Sequence, residues 1–197
     1  MIGGAAKAAH NPTMMRVALA AVFILALSLS AASRADQDDP RLPALFERLK
    51  TIQSDEEARP VEAMIWQIWS VSADEAVNAL MQRGLRAMGE GDARQALTVF
   101  DELVRRSPNF AEGWNKRATI YFLIDDFDAS LGDIERTLAL EPHHFGALSG
   151  LGQIYLALDR EAAAIKAFEA ALAIDPHLSG VKAAVENLKK KRDGDPT

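Results

Sequence analysis

The 197-residue chain contains no cysteine. That absence removes disulfides, thiolate metal sites, a cysteine nucleophile and the acylated cysteine of a lipoprotein, and it suits an oxidising compartment. Clustered basic residues are lacking too. The formal net charge is -6, from 22 Lys and Arg against 28 Asp and Glu. Lys7, Arg16 and Arg34 lie in the first 35 residues, which hold no acid, so residues 36–197 carry 19 bases against 28 acids, a charge of -9. An acidic body of this kind disfavours nucleic acid, whose phosphates call for clustered Lys and Arg, and equally an anionic membrane surface. No Ser-His-Asp set, paired-carboxylate arrangement or zinc-protease motif is legible. What remains, 49% hydrophobic and 25% charged, is enough for one modest core.

The first 35 residues read as a Sec-type signal peptide. Arg16 precedes Val17 to Leu29, thirteen residues without a charge, and Ser33-Arg34-Ala35 gives a small-x-small cleavage pattern before Asp36. The competing reading is an uncleaved anchor, but thirteen residues fall short of the roughly 20 that a bilayer span needs. Met14 and Met15 offer alternative starts. The export reading places the mature chain in the periplasm, in contact with the membrane only while the signal segment is attached.

Beyond this segment the chain repeats. Pro108, Pro142 and Pro176 lie 34 residues apart, and equal offsets from each find like residues. Twelve before each proline stand Ala96, Ser130 and Ala164; eight before, Phe100, Ile134 and Phe168; twenty-four before, Gly84, Ala118 and Gly152. Leu80, Gly84 and Ala87 share one face of a first helix, Ala96, Phe100 and Leu103 one face of a second, with Gly89-Glu90-Gly91-Asp92 as the turn. Small residues at Gly84 and Ala96 let the helices approach, and the aromatic fills the space beside them. Each proline ends a second helix and can open the next. The expected fold is all-α, an α-solenoid of stacked helical hairpins over 77–110, 111–144 and 145–178.

Residues 36–76 predict a degenerate hairpin without the repeat pattern. Leu42, Leu45, Phe46 and Leu49 form one apolar stripe, and Val61, Ile65, Ile68 and Trp69 a second. This hairpin is expected to cap the N-terminal end of the array. Residues 179–197 predict a polar capping helix, on Val181, Val185 and Leu188, followed by a disordered tail at 193–197.

Several features invite chemistry and have simpler readings. Glu141, His143 and His144 suggest a metal cluster, yet Pro142 separates Glu141 from the helix of His144 and no third or fourth ligand is near, so no metal is assigned. Asp125-Asp126-Phe127-Asp128 has part of a calcium loop but coincides with the interhelix turn, where Asp caps a helix. The glycine-rich run Gly146 to Gly152 lacks the lysine of a phosphate loop and any preceding strand. Trp66, Trp69 and Trp114 read as core packing rather than a ligand cage, and Lys189 to Arg192 as a solvated helix end.

Period, small residues, aromatics and closing prolines together resemble the tetratricopeptide repeat family. Ala87 stands where that family usually has an aromatic, Leu103 and Thr137 where it has alanine, and Asp125-Asp126 where its turn has glycine. The hairpin, three repeats and cap also resemble small exported tetratricopeptide proteins of Gram-negative bacteria. The resemblance implies a concave face, made by the first helix of each repeat, that holds a peptide or a partner's helix without catalysis or a cofactor. Its groove positions correspond to Met81, Leu85 and Met88 in the first repeat and to Glu112, Asn115, Lys116, Thr119 and Phe122 in the second. In the third they correspond to Gly146, Ser149, Gly150, Gln153 and Leu156. The family's basic clamp for C-terminal carboxylates is missing, since its positions hold Met81, Leu85, Lys116, Gly146 and Gly150. Met81 and Leu85 also admit a reading as core covered by the N-terminal hairpin. A different class of function, a structural scaffold that oligomerises through its convex face or ends, fits the same fold.

If the signal reading holds, mass spectrometry of the protein from a fractionated envelope will find a soluble species beginning at Asp36. An intact N-terminus in the membrane fraction would mean an anchor.

Overall fold

The computed structural model describes residues 37–194; the segment 1–35, expected to be a signal peptide, and the last three residues of the chain lie outside this range. Among the described residues there are nine α-helices and no strand: α1 (Leu42–Thr51), α2 (Asp55–Trp69), α3 (Glu75–Gly89), α4 (Ala93–Arg106), α5 (Ala111–Leu123), α6 (Phe127–Leu140), α7 (Phe145–Ala157), α8 (Glu161–Ile174) and α9 (Ser179–Arg192). None is long and apolar enough to cross a membrane. Helices α3–α4, α5–α6 and α7–α8 are the three repeat hairpins, and α9 packs on α8.

The hairpin turn is the same in every repeat. Gly91, Asp125 and Asp159, spaced by 34, each take positive φ (74°, 60° and 56°). The next residue then donates back across the turn, Asp92 to Ala87 O, Asp126 to Tyr121 O and Arg160 to Tyr155 O. This satisfies carbonyls left open at the end of the first helix. Asp can occupy the left-handed region because its short side chain tolerates it. Asp92 and Asp126 then cap the second helix, accepting from Gln95 and Ala129. The acidic turn is thus a helix cap.

Packing follows the small-to-large register. Phe100 and Phe168 are buried against Gly84 and Gly152, and a Cβ built on either glycine would collide with the facing ring. The middle repeat uses Ala118 with Ile134, and the Ser130 hydroxyl between its helices donates to Ala118 O (2.8 Å). A polar stitch joins the first two repeats: Arg117 binds Asp133 of α6 through both carboxylate oxygens (2.7 Å each) and Asp101 of α4 (2.8 Å). The hydrogen bond that Arg117 gives to Asp133 raises the Arg117 pKa despite partial burial, so the guanidinium stays charged. At the far end, Lys189 and Lys191 of α9 pair with Glu169 and Glu161 of α8, placing this cluster across a helix interface.

The N-terminal hairpin departs from expectation. It does not form a common core with the first repeat; α1 and α2 pack with Phe145, Leu148, Ala171, Ile174 and Leu178 of the third repeat and the loop beyond it. Helix α1 runs along the inter-repeat loops. Gln37, preceding it, bonds to Asn109 O (2.7 Å), Phe46 stacks on His143 (5.2 Å), and Leu49 O accepts from His177 (3.2 Å). Helix α2 then returns, and the Asp74–Arg106 pair (3.0 Å) leads into the first repeat. The physical reason is that the third repeat leaves Phe145 and Ala171 as an apolar surface at this edge, which the stripes of α1 and α2 cover.

Gly152→Leu will overpack the third repeat against Phe168 and cost on the order of 1–3 kcal/mol or more. Thermal unfolding followed by circular dichroism should show a clearly lowered midpoint; an unchanged one would mean that the repeat register is wrong.

Candidate functional site

Two arrangements meet at the first turns of α5 and α7. One is closed. Glu112, fully buried, accepts from Asn115 Nδ2 (2.8 Å), lies 3.0 Å from His144 Nε2, and holds Lys116 Nζ at 2.9 Å from its other oxygen. His144 caps α7 by accepting the Ala147 N–H at Nδ1 (3.1 Å), so its Nε2 carries the proton that is given to Glu112. Burial pushes the Glu112 carboxyl up, but the His144 hydrogen bond and the Lys116 charge outweigh it and leave the group below the ordinary carboxylate range. Trp69 stacks flat on His144 (4.2 Å, 12°), while Trp66 meets it edge-on and lies 5.3 Å from Lys116 Nζ. A Cβ on Gly146 would strike the Trp66 ring. The hairpin has therefore filled this end of the concave face with its own indoles.

The other arrangement is open, a groove of about 390 Å³ between α5 and α7. Asn115, Thr119 and Phe122 line one wall, and Gly146, Ser149, Gly150 and Gln153 the other. Ala118, Ile134 and Ile154 form an apolar floor, and Leu123, 65% exposed, stands at the rim. None of the lining side chains carries a charge. Its volume is at the lower end of the roughly 300–1,000 Å³ typical of ligand clefts.

The thirteen groove positions expected from the sequence separate accordingly. Asn115, Thr119, Phe122, Gly146, Ser149, Gly150 and Gln153 come together around this groove. Met81 does not reach it: 1% exposed, it belongs to the first repeat's own core with Val77 and Phe100, while Leu85 and Met88 are half-buried against the same cluster. Glu112 and Lys116 are tied into the buried cluster, and Leu156 packs beside Phe168 and Val185. Asn115 is itself 6% exposed and committed to Glu112, so its amide supports the fold as well as lining the groove. Among the tryptophans, Trp69 is buried and Trp114 donates to Pro108 O.

Sequence reasoning missed the floor residues Ile134 and Ile154, which the repeat pattern marks only as core. It also missed His144 as a cap. His143 hydrogen-bonds to Glu141, and no group of three metal-ligating side chains occurs among the described residues.

Stacked hairpins of 34 residues, with a groove between successive first helices, define a helical-repeat solenoid. The sequence profile described as Tetratricopeptide repeat matches residues 81–130 and 124–179, and the chain belongs to that family. A TPR repeat-containing protein of Rhizobium etli is 39% identical over 114 residues, 58% of this chain; the chain spans about half (56%) of that relative. Among solved structures, the first TPR of Spaghetti (RPAP3), bound to the HSP90 peptide SRMEEVD, superposes with a TM-score of 0.57 at 20% identity, covering 59% of this chain and 93% of that one. MamA superposes at 0.56 and 20% identity, covering 78% and 81%. At such identities the likeness establishes the fold.

The clamp at His177 makes hairpin docking pH-dependent. Its Nδ1 faces Asp55 (2.9 Å) and its Nε2 the Leu49 carbonyl, two acceptors that together require both ring protons. The Asp55 hydrogen bond accordingly raises the His177 pKa above 6.5. A raised histidine pKa stabilises the fold below that ordinary value and loses the contribution as pH rises through the folded value. Burial also raises the nearby Asp175 and Glu62 carboxyls. Melting midpoints of the wild type and His177→Ala should therefore differ most at mildly acid pH and converge as pH rises above 6.5. A gap that widens with pH would contradict the clamp.

Proposed function

We propose that the protein is an exported, periplasmic adaptor or assembly factor that captures a protein or peptide segment in the α5–α7 groove and catalyses nothing. The observation that carries this reading is the groove itself: an apolar floor, neutral polar walls and an open side, in a fold of which one solved neighbour has a peptide bound. Such a surface offers shape and hydrogen bonds to a chain segment. The family's non-catalytic habit supports the rest, together with the absence of an acid–base or nucleophile pair among the groove's side chains. The reading of residues 1–35 supports the location.

Met64 and Val71, 44% and 39% exposed on the hairpin's outer side, favour a second reading as a scaffold that associates through that surface.

Leu123→Ser combined with Gln153→Ala alters two exposed groove side chains and leaves the buried cluster intact. Quantitative pull-down from envelope extract should show partner capture weakened about five- to a hundredfold, as expected for losing two interactions of roughly 0.5–1.5 kcal/mol each. The circular dichroism spectrum should not change. Capture at the wild-type level would move the site off the concave face and favour the scaffold.

A further inference from the structure

The groove's hydrogen bonds have a polarity, and it specifies the chemistry of the occupant. Thr119 Oγ1 donates to Asn115 O (2.9 Å) and Ser149 Oγ donates to Phe145 O (2.7 Å). A carbonyl oxygen can only accept, so each hydroxyl proton is committed to its own helix and only lone pairs remain for the groove. Asn115 gives an amide proton to the Glu112 carboxylate, which likewise can only accept, and keeps its carbonyl oxygen. Lys116, the cation among the expected groove positions, is held by Glu112 beneath Trp66 and does not line the groove. Among the polar wall side chains, the donors left are the Gln153 amide and the second amide proton of Asn115. Around this acceptor-rich site lies a body of 28 acids and 19 bases over residues 36–197.

Resting on the groove reading above, we propose that the occupant is an internal stretch of polypeptide that alternates apolar side chains with lysine or arginine. Its apolar side chains sit on Ala118, Ile134 and Ile154, and its backbone N–H and cationic groups meet Thr119, Ser149 and Asn115. Acceptor facing acceptor is repulsive, and a carboxylate brought here would lose water for few donors and no cation in the wall. An acidic C-terminal segment of the type seen in the HSP90-peptide complex is refused.

Fluorescence anisotropy on the purified protein tests this with four labelled probes. The first is Ser-Leu-Lys-Leu-Lys-Leu-Ser, blocked at both ends; the second and third replace its lysines with glutamate or glutamine; the fourth is SRMEEVD with a free carboxylate. Measurement at about 0.5 M salt shortens the screening length to a few ångströms and suppresses attraction to the acidic body as a whole. The lysine probe should bind at least tenfold more tightly than the glutamate probe and SRMEEVD, with the glutamine probe between. Thr119→Val with Ser149→Ala should shrink that preference several-fold. Gly150→Leu should abolish binding of the lysine probe without lowering the melting point, because a Cβ there meets only Ile134 Cδ1 at 3.3 Å and the longer side chain projects into the groove. If a carboxylate probe binds as well as the lysine probe, and Gly150→Leu abolishes both, the groove stands and the ligand chemistry is overturned. If no probe binds, or Gly150→Leu leaves lysine-probe affinity unchanged, the groove reading falls with it.

Discussion

The buried Glu112–His144 hydrogen bond holds the groove-bearing half of this molecule together. A carboxylate with no solvent contact is tolerable only when its charge is answered, and here His144 and Asn115 hydrogen-bond one oxygen while the Lys116 ammonium stands 2.9 Å from the other. His144 simultaneously begins α7 and offers its flat ring to Trp69. A single imidazole thus couples the second repeat, the third repeat and the N-terminal hairpin. Its tautomer is fixed by the N–H it caps, which leaves the other nitrogen to serve Glu112.

That coupling decides where the concave face is open. Trp66 lies over Gly146 and near Lys116, at the end of the face closest to the inter-repeat loops. The groove begins beyond it, between Asn115 and Gln153, with its hydroxyls already spoken for by their own helices. The chain has covered its one cationic groove position with an indole and left an uncharged surface exposed. What the face can recognise is set as much by the hairpin that covers part of it as by the repeats that form it.

The repeats were legible because their restraints are local and recur. Three prolines at equal spacing, glycine or alanine facing Phe100, Ile134 and Phe168, and Asp at the turn each report a requirement within a single hairpin. The middle and third groove walls followed from the same register. The hairpin's position was not legible, because an apolar stripe such as Leu42–Phe46–Leu49 declares that it will be buried without naming the surface that buries it. Met81 misled for a related reason. A methionine at a groove position reads as an adaptable contact, but the first repeat uses it as core. The repeat register places Glu112 in the groove, but it is buried, with a partner, His144, that lies 32 residues away.

Helix α1, lying along three successive loops, changes the kind of cooperativity available to the array. A stack in which each repeat touches only its neighbours behaves as a nearly one-dimensional chain, free to fray from either end. Here Gln37 is tied to Asn109, 72 residues away, and Leu49 to His177, 128 residues away. These long closures bind the interior loop to the last one through a single rigid rod, so separating the repeats requires the rod to be released as well. The solenoid acquires the all-or-none character of a globular domain, at the kinetic expense of contacts that form only after most of the chain is in place.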